Sequence, residues 1–274
     1  YIGEDTTLWL SKNNGASYSP VHHFNDKVTA VEVAWSNPDV IYVATWESWW
    51  GDKKIWKTND KGQTWTNITP TNINGQDFIP YDISISSYDE NTLWIARCHM
   101  YGKWIDANGD GIADILGSEV FKSINGGLNW TNLSTPTLDG QKPTNIEHQR
   151  GSDGGVYLGT RNTVYYRNNT MNDWVIYNNN LPKSTFSTQL VPYYREGHLI
   201  NGTNRSVYEI DFYENSPPSA QIAANKLEIN CLNDTVRFVD HSAVRLSSAS
   251  WEWDFPGGTP STSTLENPIV VYSA

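Results

Sequence analysis

Thr58-Asn59-Asp60-Lys61-Gly62-Gln63-Thr64-Trp65 decides the fold, because its polar frame returns at Ser11-Lys12-Asn13-Asn14-Gly15-Ala16-Ser17-Tyr18 and at Ser123-Ile124-Asn125-Gly126-Gly127-Leu128-Asn129-Trp130. Each copy reads Ser/Thr-x-Asp/Asn-x-Gly-x-Ser/Thr/Asn-aromatic. The Asp or Asn suits the cap of a tight turn, the glycine suits a positive φ, and the closing aromatic suits packing beneath the turn. Ser11, Asn13 and Gly15, then Thr58, Asp60, Gly62 and Trp65, then Ser123, Asn125, Gly127 and Trp130 are therefore expected to build turns and not to bind a ligand.

The copies begin at residues 11, 58 and 123, at intervals of 47 and 65 residues. A four-stranded propeller blade takes roughly 40 to 50 residues, so the longer interval holds one insertion. Around the turns, segments of alternating apolar and polar residues recur in order: 28–35, 40–45, 54–58 and 65–68, then 81–86, 92–97, 119–123 and 129–133. A plainer round occupies 146–150, 156–160, 163–167 and 175–177, with a degenerate turn ending at Trp174, and a partial round occupies 190–194, 198–202 and 206–209. No window carries a sustained 3.6-residue apolar stripe. The 13 Trp, 15 Tyr and 20 Gly of the 274 residues suit short strands, tight turns and aromatic wedges between radial sheets. The expected class is all-β, with four-stranded antiparallel blades.

The turn motif resembles the Asp-box, or BNR repeat, of sialidase-like and sortilin-like β-propellers, and that resemblance implies architecture more than activity. After Tyr213-Glu214-Asn215-Ser216-Pro217-Pro218-Ser219-Ala220 the pattern changes. Asp234-Thr235-Val236-Arg237-Phe238-Val239-Asp240, Ser250-Trp251-Glu252-Trp253-Asp254-Phe255 and Asn267-Pro268-Ile269-Val270-Val271-Tyr272 resemble a PKD domain, a small immunoglobulin-like β-sandwich. The expected organisation is 1–213 as the C-terminal blades of a propeller, 214–220 as a linker, and 221–274 as a truncated PKD-like sandwich. Tyr1-Ile2-Gly3 reads as the second strand of a blade, so a fragment is expected. The run Leu190-Val191-Pro192-Tyr193-Tyr194-Arg195-Glu196-Gly197 with Val207-Tyr208-Glu209, ahead of a PKD-like module, resembles the last propeller blade of large secreted Bacteroidetes proteins. Export by the type IX system is what that resemblance implies.

Nineteen Lys and Arg against 30 Asp and Glu give a net charge of −11, with no basic stripe to offset phosphate repulsion, so nucleic acid and anionic membrane are excluded as partners. No run reaches the about 18 apolar residues of a bilayer span. Cys98 and Cys231 fall in different modules, either as separate thiols or as a disulfide in an oxidising compartment. A secreted or bacterial cell-surface location is expected.

In such a fold the loops between second and third strands emerge on the rim opposite the repeated turns, where ligand sites commonly sit. Two of these loops are long and aromatic, supplying Trp46, Trp49, Trp50, Tyr101 and Trp104 as a candidate glycan or protein platform. The second also holds Asp106-Ala107-Asn108-Gly109-Asp110-Gly111-Ile112-Ala113-Asp114. Oxygen side chains at its first, third, fifth and ninth positions and a glycine at the sixth follow the calcium-loop pattern, so Asp106, Asn108, Asp110, Ile112 through its carbonyl, and Asp114 are the candidate calcium ligands. The EF-hand's bidentate glutamate is missing, since Gly117 stands at the twelfth position.

Catalytic signatures are sparse. Glu32, Glu47, Asp52 and Asp82 are carboxylates available for paired-acid chemistry of the kind glycosidases use. The arginines lack the Arg-Ile-Pro segment of sialidases, the histidines lack metal spacing, and no Gly-x-Ser-x-Gly elbow occurs. Asp5-Thr6-Thr7 and Asp234-Thr235-Val236 resemble the Bacteroidetes O-glycan acceptor, with Thr6 and Thr235 as the modified hydroxyls. The function expected is a non-catalytic binding or scaffold segment of a large surface protein that engages a glycan or protein, beside other domains of the same polypeptide or of a surface complex. A secreted glycoside hydrolase or peptidase with its catalytic residues largely elsewhere, or a structural part of a surface machine, are the alternatives.

Overall fold

A computed structural model describes the chain apart from residues 14, 47–52, 71–79, 98–103, 106–113, 116–118, 180, 183–184, 216, 227, 230–232 and 274, with the backbone alone at 53, 80, 81, 104, 105, 114 and 115. Among the described residues there is no α-helix, only two short 3-10 turns at Pro136–Leu138 and Leu246–Ser248. The chain is all-β, as its alternation requires.

Five antiparallel sheets follow one another along the chain. The first joins β1 (Ile2–Glu4), β2 (Thr7–Leu10) and β3 (Ser19–His23). The second is β4 (Lys27–Val33), β5 (Ile41–Trp46), β6 (Lys53–Thr58) and β7 (Thr66–Asn67). In the third, β8 (Pro80–Ile85), β9 (Leu93–Arg97), β12 (Glu119–Ser123) and β13 (Thr131–Asn132) are interrupted by a small hairpin of β10 (Trp104–Ile105) and β11 (Asp114–Ile115). The fourth is β14 (Pro143–His148), β15 (Val156–Thr160), β16 (Val164–Arg167) and β17 (Val175–Ile176), and the fifth is β18 (Ser187–Tyr193), β19 (His198–Thr203) and β20 (Val207–Asp211). Strand order within each sheet follows the sequence, as in successive blades. The expected strands differ from these by a few residues at most; β4, for example, ends at Val33 and frees Trp35 for the turn that follows.

The core lies between sheets, not within them. Ala34, Tyr42 and Ile55 of the second sheet meet Ile83, Ile95 and Phe121 of the third. On the other face of the third sheet, Trp94, Ala96 and Val120 meet Ile146, Val156 and Leu158 of the fourth. Tyr157, Val164 and Tyr166 then meet Leu190 and Leu199 of the fifth. Central strands such as β5 and β9 are buried on both faces, which is why Ile-Tyr-Val-Ala and Leu-Trp-Ile-Ala read as continuous apolar runs.

The repeated turns share one hydrogen-bond network. Thr58 Oγ1 accepts the Gly62 N–H at 3.0 Å and donates to Asp60 Oδ1 at 2.6 Å, while Asp60 Oδ1 accepts the Thr64 N–H at 2.8 Å. Ser123, Gly127, Asn125 and Asn129 repeat these bonds, with Gly127 N to Ser123 Oγ at 2.8 Å and Asn129 N to Asn125 Oδ1 at 2.9 Å. Ser11, Gly15, Asn13 and Ser17 repeat them again, at 2.7 and 2.9 Å. Gly62 and Gly127 sit at φ of 93° and 90°. A Cβ on either would lie 2.5 Å from the preceding sheet, against Val21 or Ile68 respectively, so both backbone freedom and close approach demand glycine.

The closing aromatics tie sheet to sheet. Trp130 donates its indole N–H to the Ile68 carbonyl at 3.3 Å, and Trp174 donates to the Leu133 carbonyl at 2.9 Å, Ile68 and Leu133 being equivalent positions of consecutive sheets. At those same positions the triads Asn67-Ile68-Thr69 and Asn132-Leu133-Ser134, which match the N-glycosylation pattern, serve a structural end. Thr69 Oγ1 accepts the Ile55 N–H at 2.9 Å and Ser134 Oγ accepts the Val120 N–H at 3.0 Å.

Beyond the fifth sheet, β21 (Ile222–Ala224), β22 (Asp234–Asp240), β24 (Gly258–Thr259) and β26 (Ile269–Tyr272) form one sheet, and β23 (Trp253–Asp254) pairs with β25 (Thr262–Ser263). Trp251, Trp253 and Phe255 converge with Phe238, Val270 and Tyr272 in one core, as the alternation of Trp251-Glu252-Trp253-Asp254-Phe255 requires. Arg195, in the β18–β19 turn, clamps this unit to the blades by donating to Glu266 Oε1 at 2.6 Å and to the Asp240 carbonyl at 2.6 Å. Tyr213 and Glu214 belong physically to the blades. Tyr213 stacks on Tyr166 at 4.2 Å, its N–H reaches Tyr157 Oη at 2.7 Å, and Glu214 Oε1 accepts from Tyr166 Oη at 2.6 Å and Asn168 Nδ2 at 2.5 Å.

Candidate functional site

The first strands of the second, third and fourth sheets lie side by side and bring three carboxyl groups into mutual electrostatic reach. Asp82 on β8 crosses to the next sheet, where its Oδ2 accepts the Ile146 N–H at 3.0 Å, while Oδ1 accepts the Ile83 N–H at 3.0 Å. Ser84 Oγ accepts the His148 N–H at 2.8 Å in the same way. Glu32 on β4 and Glu147 on β14 occupy the same register position, each opposite a tyrosine of the second strand: Glu32 faces Tyr42 and Glu147 faces Tyr157. All three carboxyl side chains belong to half-buried residues.

Burial first, then the charge of Asp82, pushes Glu32 up to about 8, with Arg150 opposing. Burial likewise pushes Asp82 up to about 6, against the two backbone N–H groups that favour its ionised form. Glu147 is held well above the ordinary carboxylate range by burial and then by Glu32 and Asp82, again with Arg150 opposing. At neutral pH the cluster therefore holds carboxylic acid beside carboxylate.

Arg150, in the β14–β15 turn, is the cation of the site. Its guanidinium carbon lies 3.1 Å from the centroid of the Trp35 ring and 5.2 Å from that of Tyr194. Its backbone N–H donates to Tyr194 Oη at 2.8 Å. Burial lowers its pKa, opposed by Tyr194, Glu147, Glu32 and Tyr88. Trp35 and Tyr88, each in the turn between first and second strands of its sheet, are exposed at 48% and 57%; Trp35 covers the guanidinium and Tyr88 lies within its electrostatic reach. The arrangement offers aromatic surface at the rim, a partly desolvated cation, and acids and acceptors beneath: the means to stack on a sugar ring and hold its hydroxyls. Behind it His148 stacks on Trp94 at 5.0 Å, and burial lowers the His148 pKa to about 4. That ring is neutral filler.

Of the carboxylates singled out in the sequence, Glu32 and Asp82 are brought together, and Glu47 and Asp52 lie outside the described residues. Glu147 was missed, as was Arg150 as their partner. The signal was present in the repeat: Glu32-x-x-Trp35 and Glu147-x-x-Arg150 are the same positions of two sheets. The cluster sits beneath the first-to-second strand turns, which share a rim with the repeated turns; expectation had pointed to the opposite rim. Of the platform expected there, Trp46 ends β5 and is half-buried, Trp49, Trp50 and Tyr101 lie outside the described residues, and Trp104 is described by its backbone alone. The calcium positions 106, 108, 110 and 112 also lie outside, but Ile105 pairs with Asp114, so a hairpin brackets that loop. Cys98 and Cys231 are likewise outside. Thr6 Oγ1 hydrogen-bonds the His23 ring, with Nδ1 at 3.2 Å, and Thr235 lies half-buried in β22.

Successive four-stranded antiparallel sheets that bury their cores against one another define the β-propeller fold. No protein-family model matches the chain. A 51-residue stretch, 19% of this chain, is 37% identical to the xyloglucanase Xgh74A of Acetivibrio thermocellus, of which it covers 6%. Among solved structures, an ancestral GH74 enzyme superposes with a TM-score of 0.52 at 13% identity, over 87% of this chain and 36% of that one. The Penicillium chrysogenum α-L-arabinanase, solved with arabinobiose, superposes with a TM-score of 0.50 at 14% identity, over 76% of this chain and 67% of its own. The chain spans little more than a third of the GH74 enzyme, and at these identities the likeness is one of fold. No helix among the described residues is long and apolar enough to cross a membrane.

Proposed function

We propose that this chain is the glycan-engaging blade segment of a larger exported or cell-surface protein, and that the Glu32–Asp82–Glu147 cluster with Arg150 and Trp35 is its sugar site. The observation that carries the reading is three half-buried carboxyls, two of them within electrostatic reach of an arginine that stacks on the exposed indole of Trp35. Partly desolvated acids and a fixed guanidinium recognise hydroxyl arrays, and the rings supply the apolar face that pyranoses require. The short identity to a xyloglucanase makes β-glucans the first ligands to try. In affinity electrophoresis through xyloglucan, Trp35→Ala and Glu147→Gln should each abolish most of the retardation seen with the parent chain. Equal retardation of all three, or none by the parent on any plant polysaccharide, would overturn the assignment.

One observation favours a hydrolytic reading as the second. Glu32 stays protonated to about 8 while Asp82 ionises near 6, so one acid and one base coexist at neutral pH. Reducing-sugar release that is lost in Glu32→Gln would establish it.

The same proposal gives the remaining parts their roles. The loop bracketed by β10 and β11 binds calcium through Asp106, Asn108, Asp110, Ile112 and Asp114, which stiffens it, and Trp46, Trp49, Trp50, Tyr101 and Trp104 extend the contact surface. The sheets after residue 220 act as a PKD-like spacer. Type IX export, with O-glycans at Thr6 and Thr235, completes this picture.

A further inference from the structure

The β19–β20 hairpin carries a second group of ionisable side chains, remote in role from the inner-strand acids. His198 opens β19, Glu196 precedes it by two residues, and Glu209 lies on β20 diagonal to it, since Ile200 is the residue that pairs with Glu209. One ligand atom from each of Glu196, His198 and Glu209 lies within 4.8 Å of the others. Asp211, directly opposite His198, takes its Nε2 at 3.1 Å.

The ring's two nitrogens are in opposite situations. Nε2 lies 3.1 Å from Asp211 Oδ1, where an outer carboxylate orients a metal-bound imidazole. Nδ1 is fully buried and has no hydrogen-bond partner, and the Glu209 Oε2 atom it faces is 3.6 Å away, beyond hydrogen-bond reach. A buried ring nitrogen without a hydrogen-bond partner that faces carboxylate oxygens is a place where one cation can serve both. A metal-bound histidine whose other nitrogen is held by a carboxylate has this arrangement. Arg245 lies alongside, its side chain against Gly197 and its Nη2 3.9 Å from Asp211 Oδ1.

We infer that Glu196, His198 Nδ1 and Glu209 form a binding site for a divalent transition-metal ion, of which zinc fits best. One imidazole and two carboxylates suit zinc over calcium, which takes oxygen ligands alone. Three protein ligands leave a fourth tetrahedral position open to water. Tetrahedral zinc at 2.0–2.1 Å spaces its ligands about 3.4 Å apart, so the site must contract slightly. Glu196 and Glu209 are both exposed and can move inward without disturbing the core.

The test is calorimetric titration of untagged, metal-free chain with zinc chloride at pH 7.5, in buffer containing millimolar calcium chloride so that any calcium loop is already filled. One zinc per chain is expected. His198→Ala and Glu209→Gln should each weaken binding at least about tenfold, and Asp211→Asn, which keeps a neutral acceptor for Nε2, by about tenfold. Cobalt chloride should give visible d–d absorption that His198→Ala removes. Unchanged far-UV circular dichroism checks that the surface variants fold. No uptake at millimolar zinc, or uptake undiminished in His198→Ala, overturns the site. A doubly protonated His198 ring seen by NMR at pH 7.5 in the presence of zinc overturns it too, because both nitrogens would then be donors.

Discussion

Replacing Glu32 with glutamine should stabilise this protein at alkaline pH. The Glu32 carboxyl ionises near its ordinary 4.5 in the unfolded chain but near about 8 in the folded one. A group whose folded pKa is raised contributes its full stability below the unfolded value and loses it as pH rises through the folded one, so folding weakens across pH 4.5 to 8. Each pH unit in that window costs up to about 1.4 kcal/mol, an upper limit on the order of 5 kcal/mol by pH 8. Glu147 and Asp82 titrate with Glu32 and the residue keeps some contact with solvent, so a net difference of about 1–3 kcal/mol is the working figure. Glutamine keeps the shape and never ionises. Urea midpoints at pH 5, 6.5 and 8 should fall steadily in the parent chain, and Glu32→Gln should match it at pH 5 and exceed it at pH 8. A parent midpoint that is flat from pH 5 to 8, or a variant that tracks the parent throughout, would refute the burial argument and with it the mixed protonation of the cluster.

Trp130→Phe keeps an aromatic ring but loses the second ring of the indole, which packs on the core, and the bond to the Ile68 carbonyl, so it should cost about 1–3 kcal/mol in urea denaturation. Thr58→Ala removes the buried hydroxyl that receives the Gly62 N–H and should cost about 1–3 kcal/mol, leaving polysaccharide retardation unchanged. Calcium titration should show one site in the parent chain and none in Asp110→Ala, as measured by calorimetry in zinc-free buffer.

What could be read in advance follows the range of the interactions. The turns were legible because Thr58, Asp60, Gly62 and Thr64 satisfy one another within seven residues, and the strands were legible because burial on one or both faces imposes its own period. Glu32 and Asp82 stood out as carboxylates, yet nothing local says that they share a field with Glu147. That meeting depends on how first strands of three sheets lie against one another, set by the apolar clusters that gather Ala34 with Ile83 and Trp94 with Ile146. Trp35 misled for a similar reason. As an apolar residue at the end of an alternating run it looked like strand, whereas β4 stops at Val33 and the indole is spent on Arg150 in the turn. The Glu196–His198–Glu209 group escaped notice because β20 reaches His198 only once the hairpin closes in its own register.

The anchoring of Glu214 carries a practical consequence for anyone dissecting the molecule. The change of composition near residue 214 invites a cut there, but a blade fragment ending at Phe212 would strip the Tyr166 phenol and Asn168 of their acceptor and Tyr157 Oη of the Tyr213 amide. Cleavage, proteolytic or genetic, belongs after Asn215, so that Tyr213 and Glu214 stay with the blades they complete.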